Sequence, residues 1–90
     1  MRMMMKVSIP VEAGNRGVKE GLLPKTIGAF VEQYKPESCY FTTEGGQRTG
    51  FFVFDMKDAS SMPSIAEPFF NNLNASISYS PVMTLEDLKT

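Results

Sequence analysis

Few side chains in this ninety-residue chain could do chemistry, and their kinds narrow what that chemistry is. Histidine and tryptophan are absent, and Cys39 is the only cysteine. Those absences remove an internal disulfide, a Cys–His nucleophilic pair within one chain, and a zinc site built from thiolate and imidazole. No metal and no cofactor is expected. What remains is Lys6, Arg16, Arg48 and Asp55, the phenols of Tyr40 and Tyr79, and hydroxyls such as Ser8 and Ser78. Lys6 and Asp55 are expected to share one sheet face on neighbouring strands. With Ser8, Tyr40 or Ser78 beside them they would hold a polar ligand, or act as acid and base where burial shifts their ionisation. The plainer account of the same two residues is a satisfied ion pair at a subunit interface.

A second candidate is Gly14-Asn15-Arg16-Gly17, expected on a loop between a strand and a helix. There, backbone N–H groups and Arg16 would face a phosphate or carboxylate. The segment carries neither the Gly-Lys-Ser/Thr of a P-loop nor the spacing of a dinucleotide fingerprint. In position it is similar to the effector site of amino-acid-sensing regulatory domains, but their Asp-x-Pro-Gly is missing. The plainer account is a capping loop with Asn15 as a helix N-cap. Cys39 has no histidine to activate it and reads as a small buried apolar residue.

The elements that must position these groups follow from hydrophobic spacing. Met3, Met5, Val7 and Ile9 alternate with Met4, Lys6 and Ser8, the period of a half-buried strand, and Pro10 ends it. Helical spacing takes over at Val18, Leu22, Leu23, Ile27, Phe30, Val31 and Tyr34, with Pro24 placed in the first turn of the main helix. Ser38 to Thr43 reads as a strand, Glu44-Gly45-Gly46-Gln47 as a hairpin turn, and Arg48 to Met56 as the most apolar strand, central in its sheet. Asp58 to Ser61 caps a second helix striped by Met62, Ile65, Ala66, Phe69, Phe70 and Leu73, which Pro68 should kink or shorten. Ala75 to Ser80 alternates as a last strand, and Thr84 to Asp87 resembles the cap of a short terminal helix.

The order β-α-β-β-α-β in a chain of this length makes one α+β domain over residues 1–90, a ferredoxin-like split sandwich. Right-handed crossovers put both helices on one face of an antiparallel sheet ordered 4-1-3-2. Giving the helix side Phe52, Phe54 and Met56 leaves the other face Phe51, Val53 and Asp55, together with Met4, Lys6, Ser8, Ser76, Ser78 and Ser80. That face is too apolar for bare solvent and too polar for a dry core. Such a face commonly meets a second copy of itself.

Charge removes further classes. Nine basic residues against ten acidic ones give a net charge of −1, without the basic face of a nucleic-acid or membrane-surface binder. The RNA-recognition motif shares this strand order, yet Thr49, Gly50, Phe51 and Asp55 break its octapeptide and the first strand offers no stacking aromatic. No stretch approaches the roughly 20 apolar residues of a membrane span, and Lys6 ends the apolar start too early for an export signal. A cytoplasmic protein is expected.

The runs Lys6 to Asn15, Arg48 to Asp55 and Ala66 to Phe70 resemble those of small uncharacterised bacterial proteins of the dimeric α+β barrel superfamily. The resemblance implies two sheets facing each other across a two-fold axis, and it assigns no catalytic residue. Several enzymes of that superfamily use a histidine, and those that oxidise aromatic polyketides without a cofactor often rely on tryptophan; this chain has neither. The leading expectation is a homodimeric binding or interaction module with a small-molecule ligand. The alternatives are a cofactor-independent isomerase or oxygenase on a small hydrophobic or acidic metabolite, and an effector-sensing regulatory domain. Candidate ligand-binding residues are Lys6, Ser8, Tyr40, Asp55 and Arg16.

Overall fold

The computed structural model of the chain describes residues 1–89. In chain order it contains β1 (Arg2–Ile9), α1 (Val11–Glu20), α2 (Leu22–Tyr34), β2 (Ser38–Glu44), β3 (Gln47–Asp55), α3 (Met62–Leu73), β4 (Ser76–Pro81) and a one-turn α4 (Leu85–Leu88). The strands form one antiparallel sheet in the order β2-β3-β1-β4, the expected 4-1-3-2 arrangement. The fold is α+β and ferredoxin-like. No helix is long and apolar enough to cross a membrane among the described residues.

Strand alternation decides the two faces. Along β1, Met3, Met5, Val7 and Ile9 are buried while Arg2, Met4, Lys6 and Ser8 are half-buried. Phe52 and Phe54 of β3 point the same way as Met5 and Met3, their cross-strand partners, and Met56 follows them into the core. Phe30 of α2 fills the centre. Its ring lies 5.2 Å from those of Phe52 and Phe54 and 6.0 Å from that of Phe69 on α3, all edge-on. The helix layer thus locks to the sheet through aromatic contacts, while the opposite face stays uncovered by this chain.

The helix side departs from expectation first at α1. Val11 to Gly17 is not a loop but most of α1, which begins directly after Pro10. Ala13, Gly14 and Gly17 are its buried residues, so its inner face is made of the smallest side chains. A Cβ on Gly17 would come within 2.8 Å of Leu73 and 3.4 Å of Leu23, which shows how closely α1 approaches α2 and α3. Gly21, at φ 75°, closes α1 and lets α2 start one residue later. Pro24 therefore falls in the first turn of α2, where its missing N–H would have had no partner.

The hairpin forms as its glycines require, with Gly45 and Gly46 at φ 60° and 78°. Asp58 caps a 3-10 turn at Ala59–Ser61 by accepting from the Ser60 N–H, and α3 follows. It runs through Pro68 to Leu73 without the expected shortening. Ile65, Ala66, Phe69 and Leu73 form its buried stripe, whereas Phe70 is 43% exposed. Asn74, at φ 51°, ends the helix in the left-handed conformation. Asn72 instead donates to the buried Thr26 hydroxyl on α2 at 3.0 Å. Thr84 and Asp87 form the reciprocal capping box of α4.

Candidate functional site

The open sheet face carries four of the five candidate residues. Register places Arg2 opposite Asp55, Met4 opposite Val53, Lys6 opposite Phe51 and Ser8 opposite Thr49. Tyr40 of β2 lies on the other side of Phe51, and Ser76, Ser78 and Ser80 line β4. Lys6, Ser8, Tyr40 and Asp55 therefore do share a face. They do not converge. Asp55 sits four residues along the sheet from the Lys6 row, roughly 13 Å at ordinary strand rise.

Each charged group on this face has found a different partner. Lys6 Nζ donates to the Glu44 carboxylate, reaching across β3. Ser8 Oγ donates to Gln47 Oε1 at 2.9 Å. Asp55 accepts from Lys57 and from the Met1 amino group, the latter at 2.7 Å. Those bonds, the one from Lys57 foremost, hold the Asp55 carboxyl down to about 2. With its side chain 54% exposed, Asp55 is a solvated carboxylate rather than an acid or base. Arg2 donates to Glu37 at 2.7 Å, and Tyr40 is 70% exposed. A polar groove of about 180 Å³ runs between β1 and β4, lined by Lys6, Ser8, Ser76, Ile77 and Ser78.

Arg16 stands apart from the other four. It is exposed on the outer side of α1, and the Gly14 N–H is spent on the Pro10 carbonyl at 2.8 Å. The anion cradle expected at Gly14 to Gly17 does not form, because those residues are inside a helix whose N–H groups serve the helix itself. The expectation of an effector-binding loop there falls with it.

An apolar concavity lies on the other side of the sheet. A cleft of about 280 Å³ opens between the sheet and α2, walled by Val7, Ile9, Leu23, Ile27, Phe52 and Phe69. Phe41 of β2 stands at its mouth, 59% exposed, with its ring edge-on to Phe52 at 5.6 Å and 81°. Gly50 permits that contact: a Cβ there would lie 3.0 Å from the Phe52 ring and 3.3 Å from Phe41. Thr42 and Thr49 also border the cleft, although register places them with Ser8 and Tyr40 on the opposite face.

Arg48 is the charged side chain of the lining. It is half-buried at the start of β3, opposite Ile9, with its guanidinium beneath α1. Nη2 donates to Asn15 Oδ1 at 3.2 Å, and Nη1 occupies the space a Cβ on Gly14 would need. No carboxylate of the described residues forms an ion pair with it. Its guanidinium offers a planar set of N–H donors.

Residues 1–90 match the family model described as a domain of unknown function, DUF3303. The chain belongs to the DUF3303 family. No curated protein matches it. Among solved structures, the DUF3303 chain is similar to a Deinococcus radiodurans protein provisionally assigned as an antibiotic biosynthesis monooxygenase. The two are 11% identical, the match covers 93% of this chain and 94% of that one, and the TM-score is 0.49. In this DUF3303 chain Cys39 is half-buried against the core, and burial pushes its thiol up, away from the thiolate. Tyr79 donates to the Met62 carbonyl at 3.0 Å, and burial pushes its phenol up to about 12. Arg48 was legible as a reactive side chain but not as the one that meets the cleft. The signal that could have found it was Gly14 and Gly17 at helical spacing beside Ala13, a small-residue stripe over the strand below.

Proposed function

We propose that this DUF3303 chain is a homodimeric binding module, folded as one domain over residues 1–90 in the cytoplasm, that takes up a small and largely apolar molecule. The observation that carries the reading is the cleft between the sheet and α2, apolar on its walls and approached by a single unpaired cation. At about 280 Å³ it is near the small end of ordinary ligand sites, which run from roughly 300 to 1,000 Å³. That size suits one aromatic ring or a short branched chain.

The homodimer rests on the open face. Met4, Phe51 and Val53 are half-buried at its centre, Tyr40 stands exposed beside them, and the flanking charges are neutralised within the chain. An apolar centre with a self-satisfied polar rim can be covered by a two-fold copy without stranding a charge. A chain this short also gains most from such a partner.

A fragment screen on the ¹⁵N-labelled protein tests the reading. Binders are expected to shift the amides of Phe41, Gly50, Phe52 and Ile27 while leaving those of Lys6 and Ser78 unmoved. Shifts confined to the sheet's open face, or no binder at all, would refute the cleft as the site. Sedimentation at micromolar concentration is expected to show a dimer, and a well-folded monomer would refute the pairing.

A further inference from the structure

Arg48 differs from the other cations anchored to the sheet in what surrounds it. Arg2 and Lys6 are matched by carboxylates of this chain. Arg48 is bonded to a neutral amide oxygen, that of Asn15, and that bond uses one of its five N–H donors. Gly14 leaves room for Nη1 directly against α1, so the guanidinium is wedged between helix and strand rather than swinging in solvent. A cation held in place without a counter-charge at an apolar cleft is a receptor for an anion that the ligand brings.

We propose that the cleft takes an amphipathic monocarboxylate, with its apolar body against Ile27, Phe52 and Phe69 and its carboxylate on the Arg48 guanidinium. The inference rests on the cleft being the small-molecule site. The planar fork of arginine fits a carboxylate with two parallel bonds. One guanidinium balances one negative charge, and the described lining offers no second cation for a phosphate dianion. Asn15 and Gly14 are positioning residues: the first fixes the plane of the guanidinium, and the second makes space for it.

The test compares matched probes on the full chain at neutral pH, benzoate against benzamide and 3-methylbutanoate against 3-methylbutanamide, by NMR titration read at Phe41, Gly50 and Phe52. Each acid is expected to bind about tenfold more tightly than its amide, the scale of a partly solvent-screened charged hydrogen bond. Arg48→Met should abolish that preference while amide binding persists. Gly14→Ala is a second variant should Arg48→Met fold poorly. Its methyl displaces Nη1, and the acid preference should shrink in a protein whose helix the alanine otherwise favours. Arg16→Gln, at an exposed position on the same helix, should change nothing. Equal binding of acid and amide would overturn the carboxylate while leaving the cleft standing. Preference surviving Arg48→Met, or lost equally in Arg16→Gln, would overturn the role given to Arg48. Failure of every probe to shift the cleft amides would overturn the cleft reading first, and the carboxylate with it.

Discussion

Gly17 and Gly28 both lie inside helices, yet alanine should act on them in opposite directions. At Gly28 on α2 nothing lies within 4 Å of an added Cβ, and the position is exposed. The variant collects the helix-propensity gain of about 0.8–1 kcal/mol. At Gly17 on α1 the same methyl would sit 2.8 Å from Leu73 Cδ2, about 0.7 Å inside the roughly 3.5 Å where carbons begin to rest comfortably. Leu73 is 0% exposed, so it has no solvent to retreat into. Overpacking of this kind costs about 1–3 kcal/mol. After the same propensity gain, Gly17→Ala should be destabilised by on the order of 1 kcal/mol. The two variants should then differ by about 2 kcal/mol, or on the order of 10 °C in melting temperature for a domain of this length. Thermal and urea unfolding at one fixed protein concentration measure it, because a self-associating chain shifts its midpoint with concentration. Leu23, 3.4 Å from the added methyl, also walls the cleft, so Gly17→Ala should move the Leu23 and Ile27 resonances as well. Equal or greater stability of Gly17→Ala would refute the close approach of α1 to α2 and α3, and with it the explanation of why a helix here is built on small residues.

Three further outcomes are expected. Tyr79 ionises at about 12 when folded against 10.0 when free, so its stabilising effect is full below pH 10 and is lost as pH rises through 12. The stability of wild type relative to Tyr79→Phe should therefore fall across that window, and a constant difference would count against a buried phenol. Asp55 is shifted the other way, from 3.8 to about 2, so its contribution is present above pH 3.8 and is lost as pH falls toward 2. Relative to Asp55→Asn, wild type should lose stability over that acid window, and added salt should suppress the effect because the pair is exposed. Val53→Asp puts a charge in the apolar centre of the open face, beside Met4, and should convert the proposed dimer to monomer in sedimentation while amide probes still reach the cleft.

Much of this architecture was legible in the chain because strand alternation is strict where one face is buried. Met3, Met5, Val7 and Ile9 fixed the inward side of β1, and the choice of Phe52, Phe54 and Met56 for the core followed from their continuous apolarity. The hairpin was legible in Gly45 and Gly46, whose positive φ angles only glycine adopts cheaply. The helix α1 was hidden for the same reason. Glycine usually punctuates, so Gly14 and Gly17 read as a loop, whereas here they are packing residues that let a helix lie against Arg48 and Leu73. Misplacing that helix also changes which arginine is brought forward. Once Val11 to Gly17 is taken as a loop, Arg16 seems to face a ligand and Arg48 is merely the first residue of an apolar strand. The pairing of Lys6 with Asp55 failed on register, which one sequence does not show: residues on one face of adjacent strands can still be separated by the length of the strand.

The two sides of this sheet treat charge in opposite ways, and that contrast bears on which of them recognises a ligand. On the open face Lys6, Arg2 and Asp55 are each neutralised by a group of the same chain, so nothing there calls for a foreign ion. Closing a second sheet over them would bury pairs rather than lone charges, which is the tolerable form of charge burial. On the helix side the chain spends two positions, Gly14 and Asn15, on seating one guanidinium and then supplies no acid for it. A carboxylate beside Arg48 would accept a stronger, charge-assisted bond than the Asn15 amide does. On the reading proposed above, the matching charge arrives with the molecule that fills the cleft. The acid-over-amide preference measures that balance directly: if Arg48 is as well satisfied by Asn15 as by a ligand, benzoate and benzamide will bind alike.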